Sequence, residues 1–589
     1  MTSAATAPVA VSTAQGGQAI DAWGLSIDAP LVVDDVAAVD WADQADLIVV
    51  GLGGAGVAAA LEALEQGATV IAADRYEGGG SSAANGGVFY AGGGTRIQQE
   101  AGVEDTPDNM YAYLKMEVGD VVTDATLRKF CDDSPATVDW LTRHGVPFEG
   151  SLYSKKASYP PLDKFLYHPD SSLAEPYASV ARPAARGHRG KMYNGKKAWG
   201  LGGAIFNPLR DAALARGMTF LRHAEARRLA VDPAGRVIGV QLARIADPRQ
   251  GQRFAHHIAR ASVWMAMLPP SLPGAQITFA VARWHLTRAW RIEAQHRVTA
   301  WYRARKGVVL SAGGFILNND MVRHFARPYA ASLPNGTLGD TGSGIMLGVS
   351  AGGATDLMAR VSAWRMINPP SAFSESILVN AQGARYVNET LYGAAIGEAM
   401  VERNDGRGYL ILDKALVRRA RRQAFGPGVL PFQRDLALIN TLFAARRAPT
   451  LAALARRMGF DVATLEQAVA ENNRAARGEI PDPFGKRAAD MAEIRQGPFY
   501  AIDVSADAKW FPLACMTVGG LVVDEDTGLV KRASGAVIPG LYAAGRTAIG
   551  LCSNLYVSGL SYADCIFSGR RAARHAATMD VDCSAPSSR

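Results

Sequence analysis

The apolar run Leu47-Ile48-Val49-Val50 ends in Gly51-Leu52-Gly53-Gly54-Ala55-Gly56, and an Ala-rich helical stretch, Val57 to Leu64, follows. A second apolar run, Ala68 to Ala73, then closes on Asp74. Strand, glycine turn, helix, strand and acid in this order predict a dinucleotide-binding βαβ unit in an α/β fold. Gly51 permits the tight turn, Gly53 and Gly54 bring backbone N–H groups towards a pyrophosphate, and Gly56 lets helix and strand pack closely. Ala55 belongs to the same loop, and Asp74 can accept from an adenosine ribose hydroxyl.

The next glycine-rich loop, Glu77 to Gly87, offers further backbone donors, and Ser81, Ser82, Gly86 and Gly87 are its candidate cofactor contacts. A nicotinamide enzyme needs no second cradle here. FAD, extended along the first βαβ unit, does need one, so the loop favours FAD. The tail supplies the complement. Gly540-Leu541-Tyr542-Ala543-Ala544-Gly545-Arg546 reads as a strand reaching a glycine turn. A helix starts near Leu560 and Ser561, and its N-terminus suits a flavin ring. Gly545, Leu560, Ser561 and Ala312 complete the set expected at the cofactor.

With these motifs the chain resembles the fumarate reductase and 3-ketosteroid dehydrogenase class of flavoproteins. Other marks of the class are Lys306 to Phe315 (Lys-Gly-Val-Val-Leu-Ser-Ala-Gly-Gly-Phe), Arg385-Tyr386-Val387-Asn388-Glu389 and Thr517-Val518-Gly519-Gly520-Leu521. The resemblance implies a discontinuous Rossmann-like FAD-binding domain with an inserted α+β cap that closes over the cofactor. The expected divisions are 40–317 and 501–577 for the FAD-binding domain and 318–500 for the cap, with 1–20 and 580–589 disordered.

A length of 589 residues, 48% of them hydrophobic and 20% charged, is enough for at least two cores. The net charge of +7 is spread along the chain without any nucleic-acid-binding motif, so nucleic acid is not an expected partner. Five cysteines with no paired spacing suggest reduced thiols and no metal site, consistent with a cytoplasmic protein. The first twenty residues lack the charged and apolar regions of a secretory signal.

One stretch departs from the class. Between the strand around Val240 and Tyr302, where relatives need only a short hairpin, the chain carries an insertion at about 245–300. Ala261 to Ala282 is 22 consecutive uncharged residues, which satisfies the length of a membrane span. Pro269, Pro270 and Pro273 interrupt it, so a single spanning helix is not expected. Two short apolar arms joined by a proline turn would instead dip into one leaflet. Arg283 to Arg305 reads as an interfacial helix, with Trp290, Ala294, Val298 and Trp301 at helical offsets and arginines beside them. Peripheral or monotopic membrane attachment through about 255–300 is the leading expectation. An oligomer interface, or a lid that buries its own apolar face, stands beside it.

A flavin dehydrogenase must hold a C–H above the ring, accept a proton from the neighbouring carbon and stabilise the developing enolate. Tyr556 and Ser558 place two hydroxyls two residues apart on one side of an extended backbone, ready for a proton relay. Steroid-acting members of the class carry a catalytic tyrosine at the corresponding place. Those that introduce the Δ1 bond resemble one another in a Tyr-Pro-Gly-Pro-Gly run, whose second glycine N–H helps bind the C3 ketone. Here the run is Tyr556-Val557-Ser558-Gly559-Leu560, which resembles the 3-ketosteroid Δ4-(5α)-dehydrogenases instead. That resemblance also implies a cap tyrosine, and Tyr392 is the match. The fumarate reductase branch usually has a histidine before its Thr-Met-Gly-Gly-like run, where this chain has Ala514-Cys515-Met516. The expected reaction takes a 3-keto-5α-steroid, or a sterol-derived relative, to the 4-ene by C5 hydride transfer to FAD and C4 proton transfer to Ser558 and Tyr556. Tyr392 assists the proton transfer or polarises the ketone, and an external acceptor reoxidises the flavin. Δ1-dehydrogenation is the nearer alternative, and a membrane-docked FAD electron carrier the more distant one.

Overall fold

Leu47 and Val49 point into one apolar cluster and Ile48 and Val50 into another, so the first strand is buried on both faces, as a central parallel strand must be. The computed structural model, which describes residues 23–191, 200–268 and 274–579, places it in a nine-stranded sheet. Both termini expected to be disordered, 1–20 and 580–589, lie outside the described residues.

Around Trp41–Val50 the sheet is parallel. Val70–Asp74 pairs on one side, with Thr219–Arg222 beyond it. On the other side lies the long strand Arg297–Leu310, whose second half pairs in parallel with Val537–Ala543. The tail strand therefore returns beside the N-terminal unit, with Val308 opposite Leu541. Helices Gly54–Glu65 and Leu560–Thr578 cover one face together. They cross so closely that a Cβ on Gly569 would lie 2.3 Å from the Ala55 carbonyl oxygen.

A second layer has a sheet of its own. Ile377–Val379, Tyr409–Leu412, Phe499–Asp503 and Arg446–Ala448 form a four-stranded antiparallel sheet. It buries its own core with the helices Leu451–Met458 and Val462–Ala476, which contribute Leu454 and Leu465. The Arg385-to-Glu389 motif belongs to this layer's framework. Arg385 makes two hydrogen bonds to Glu389, and Lys486 adds a third at 2.9 Å.

The insertion is a helical hairpin, Pro248–Met267 and Ala275–His296, rising from the antiparallel pair Val237–Ile245 and Arg297–Leu310. The expected interfacial helix ends earlier than its periodicity suggested. From Arg297 onward the chain is strand, because Arg297 to Arg303 pairs with Ile245 back to Gly239 and β-branched and aromatic residues suit that ladder. Val298 and Trp301 therefore belong to the sheet, where Trp301 meets Trp41 edge-on at 6.4 Å. The apolar arms are likewise the ends of two long helices and not separate short segments. The proline turn between them lies outside the described residues, and among those described no helix is long and apolar enough to cross a membrane.

Candidate active site

The first glycine turn is shaped by close backbone approach. Gly51 has φ +94°, and a Cβ there would lie 2.6 Å from the Ala312 Cα. At Gly56 a Cβ would stand 2.1 Å from the Gly51 carbonyl oxygen, so helix and strand could not meet as they do. Gly53 caps the helix and differs from both: a Cβ there meets no protein atom closer than 3.8 Å and projects into an open cavity. That cavity, of about 330 Å³, is lined by Gly51, Gly53, Gly54, Ala55 and Asp74 and, from other strands, by Ala312 and Gly545. Asp74 accepts from the Leu52 and Tyr76 N–H groups at 2.9 and 2.8 Å. Burial raises its carboxyl pKa above the usual range in spite of these donors.

Ser81 and Ser82 sit where this cavity meets a second one of about 540 Å³. Ser82 Oγ accepts from the Gly54 N–H at 3.0 Å, and Ser81 donates to Asp340. Gly86 and Ser561 line the second cavity. Three residues of the expected cofactor set lie behind the walls. Gly56 is packed as described, Gly87 could not carry a Cβ within 2.1 Å of the Leu201 carbonyl, and the Leu560 N–H is engaged with the Val557 carbonyl at 3.1 Å.

The second cavity brings Tyr392, Tyr556 and Ser558 together. Two contacts from one loop hold them: the Ser558 N–H donates to the Pro169 carbonyl at 3.2 Å, and the Tyr392 N–H donates to Ser171 Oγ at 2.9 Å. Tyr392 lies on Trp364 with rings 6.2 Å apart and 25° from parallel, and Tyr159 meets Trp364 edge-on at 5.4 Å. With Phe432 and Met516 these rings make a broad apolar wall, a setting suited to a flat apolar ligand.

The hydroxyls are not connected as the spacing suggested. Tyr556 Oη accepts from the Gly559 N–H at 3.3 Å and is also hydrogen-bonded by Ser561. Ser558 stands near the phenols of Tyr392 and Tyr167, and the Tyr167 hydroxyl is buried with no hydrogen-bond partner among the described residues. From Ser558 the backbone turns into the helix that starts at Leu560. Burial raises all three phenols: Tyr392 well above its ordinary value, Tyr556 above it, and Tyr167 to about 12. The Ser558 hydroxyl opposes this at Tyr392 and Tyr167, and Ser561 and the Gly559 N–H oppose it at Tyr556.

A model of the FAD binding domain matches residues 46–558. The chain belongs to that FAD-binding family. FAD is its cofactor, and the fold is the α/β flavoprotein architecture with FAD-binding and capping domains. A 3-oxo-5-alpha-steroid 4-dehydrogenase of Comamonas testosteroni is 36% identical, the match covering 86% of this chain and 93% of the relative. A 3-oxosteroid 1-dehydrogenase of Mycolicibacterium smegmatis is 26% identical over 87% of this chain and 93% of its own length. Among solved structures, a 3-ketosteroid Δ4-(5α)-dehydrogenase of Rhodococcus jostii in complex with 4-androstene-3,17-dione is 27% identical. It superposes with a TM-score of 0.76, covering 94% of this chain and all of that one.

As in any FAD-binding protein, donors must stand ready for a charged, hydrogen-bonding cofactor, and this chain has them. Arg546 lines both cavities. Its Nη2 donates to Asp340 at 2.7 Å, while Nη1 is buried without a hydrogen-bond partner among the described residues. The Tyr562 hydroxyl, on the second cavity, is likewise buried and unpartnered there. Such groups are costly unless a ligand satisfies them. Neither was singled out from the sequence, although Arg546 ends the tail motif and could have been. Asp340 carried no signal at all, because its role as a hub for Ser81, Thr337 and Arg546 arises from loops distant in the chain.

Proposed function

We propose that this chain oxidises a 3-keto-5α-steroid to the 3-keto-4-ene. The observation that carries the reading is the 540 Å³ aromatic cavity, which gathers Tyr392, Tyr556 and Ser558 and shares Ser81, Ser82, Thr337, Arg546 and Cys565 with the cofactor cavity. The likeness to the Comamonas testosteroni and Rhodococcus jostii enzymes supports the same substrate class.

FAD supplies the hydride acceptor when bound. The chain's part is to position the steroid and move one proton. Tyr556, whose oxygen receives the Gly559 N–H at a helix N-terminus, is a polarised donor for the C3 ketone and stabilises the enolate that develops there. Ser558, beside Tyr392, takes the proton from C4 as it gives its own hydroxyl proton to the Tyr392 phenolate, which ends as the neutral phenol. As the C5 hydrogen leaves as hydride and the C4 hydrogen as a proton, the C4–C5 double bond forms. The engaged Leu560 N–H supports this assignment over Δ1 chemistry, since it offers the ketone no free backbone donor. Bound FAD, once reduced, would need an external acceptor for its electrons.

Incubation with a saturated 3-keto-5α-steroid under anaerobic conditions should bleach the flavin and yield the 4-ene. A product carrying only the Δ1 bond, or no bleaching, would overturn the reading.

Membrane attachment belongs to the outer face of the hairpin. Ile277, Trp284 and Trp290 are 69%, 51% and 48% exposed there, among the exposed Arg283, Arg288 and Arg291. Apolar and aromatic side chains between cations suit an anionic lipid surface, the setting from which a steroid would be drawn. Sedimentation with phosphatidylglycerol vesicles should recover the protein, and Trp284→Ser with Trp290→Ser should release it. Equal recovery of wild type and variant would reject lipid docking through this face.

A further inference from the structure

The cofactor cavity has two distinguishable ends. One end meets the substrate cavity at Ser81, Arg546 and Cys565, and the reactive ring of the cofactor must face that way. Asp74, Tyr76, Glu77 and His223 line the other end, and an acid at this place in a dinucleotide fold receives the adenosine ribose. The wall that closes this far end comes from the insertion. Phe254, Ala255, Ile258, Ala259 and Ser262, one face of the first hairpin helix, line the cavity.

The hairpin is seated there firmly. Phe254 is 1% exposed, stacked on Tyr76 at 6.1 Å with rings 8° from parallel, and edge-on to His223 at 5.3 Å. At Gly251 the helix comes so near that a Cβ would lie 2.8 Å from the His223 ring. The second helix is tied down by Glu293, which takes two hydrogen bonds of 3.0 Å from Arg75. Glu225 joins the cluster, 2.9 Å from Arg75 and 2.8 Å from Arg297. Arg75 directly follows Asp74, so neighbouring residues fix the ribose-facing acid and the foot of the hairpin.

We propose that the 248–296 hairpin is an adenosine clamp, its first helix forming the outer wall of the adenosine half of the FAD site. Ile258 and Phe254 give a purine base an apolar surface, and the small side chains of Ala255, Ala259 and Ser262 let the helix backbone approach it. The inner face of the hairpin is thereby committed to the cofactor. The outer face remains for other contacts.

The test uses cofactor affinity and involves no steroid, so its failure would leave the proposed reaction untouched. FAD and ADP, the latter a probe of the adenosine half alone, are titrated into apoprotein of wild type, Ile258→Asp and Val263→Asp, the last on an exposed position of the same helix that does not line the cavity. Ile258→Asp should weaken both ligands about tenfold or more, while Val263→Asp stays within about twofold of wild type. Unchanged affinity in Ile258→Asp, or equal weakening in both variants, would overturn the clamp. Should Ile258→Asp not fold, hydrogen exchange of the wild type decides. FAD should protect the amides of 254–262, and no protection there would refute the proposal.

Discussion

The rings of Tyr392 and Tyr556 meet at 6.5 Å between centroids, inclined by 50°. One comes from the cap layer and the other from the tail beside the central sheet, so the pair exists only when both are in place. Their partners differ: Ser558 stands near Tyr392, and the Gly559 N–H donates to Tyr556. The two phenols should therefore fail in different ways. Ser558→Ala and Tyr392→Phe should each slow anaerobic flavin reduction by roughly a hundredfold or more, the scale of lost proton transfer, with steroid affinity little changed. Tyr556→Phe should slow reduction and also weaken binding of a ketone-bearing product. Equal flavin bleaching in Tyr556→Phe and wild type would remove Tyr556 from the mechanism.

Proton transfer through such a buried phenol also fixes a pH dependence. Burial holds the Tyr392 pKa well above its ordinary value, so the deprotonated fraction near neutrality is small and grows with pH. The rate of flavin reduction should then climb by up to about tenfold per pH unit between pH 7 and 9, without a plateau, if transfer needs the phenolate. Rapid-mixing absorbance across that range measures it. A flat profile would assign the proton to another acceptor.

The glycine turn, Asp74, the tail strand and the FAD requirement were legible because local pattern determines them: each depends on residues within a few positions of one another. The tyrosines could be named by resemblance, but not their wiring. Whether Ser558 faces Tyr556 or Tyr392 depends on a turn at Gly559, φ +90°, and on the loop at Pro169 to Ser171 that receives both backbones. The insertion shows the limit from the other side. Its apolar length was visible, yet the face directed to the cofactor follows from Arg75, Glu225 and Glu293, which no helical periodicity connects.

Gly53 and Gly56 should respond differently to the same small change. A Cβ at Gly56 would collide with the Gly51 carbonyl at 2.1 Å, so Gly56→Ala should lower the thermal stability of the apoprotein as well as its flavin content. At Gly53 the backbone is in a region open to alanine, and the added methyl enters the cavity with nothing of the protein nearer than 3.8 Å. Gly53→Ala should keep the apoprotein Tm within about a degree of wild type while raising the FAD Kd about tenfold or more. Paired thermal melts and flavin titrations separate the two. A Gly53→Ala apoprotein that melts as early as Gly56→Ala would contradict the assignment.

Glu117 links the tail to a pH-dependent stability. Its carbonyl receives the Leu555 N–H at 3.1 Å, which holds the chain just before Tyr556, and its carboxylate takes the Tyr113 hydroxyl at 2.6 Å. Burial pushes its pKa up to about 8, against the pull of the Tyr113 hydrogen bond. The folded protein therefore keeps a proton there that the unfolded chain, with a glutamate pKa near ~4.3, gives up. Stability from this group is complete below the unfolded pKa and falls as pH rises from there through about 8, because over that span the folded state binds more protons. Glu117→Gln keeps an acceptor for Tyr113 and removes the titration. The Tm of the variant relative to wild type should rise steadily from pH 5 to pH 8.5 and level off above. A difference that is constant over this range, measured by thermal melts in matched buffers, would show that Glu117 is ionised in the folded protein throughout.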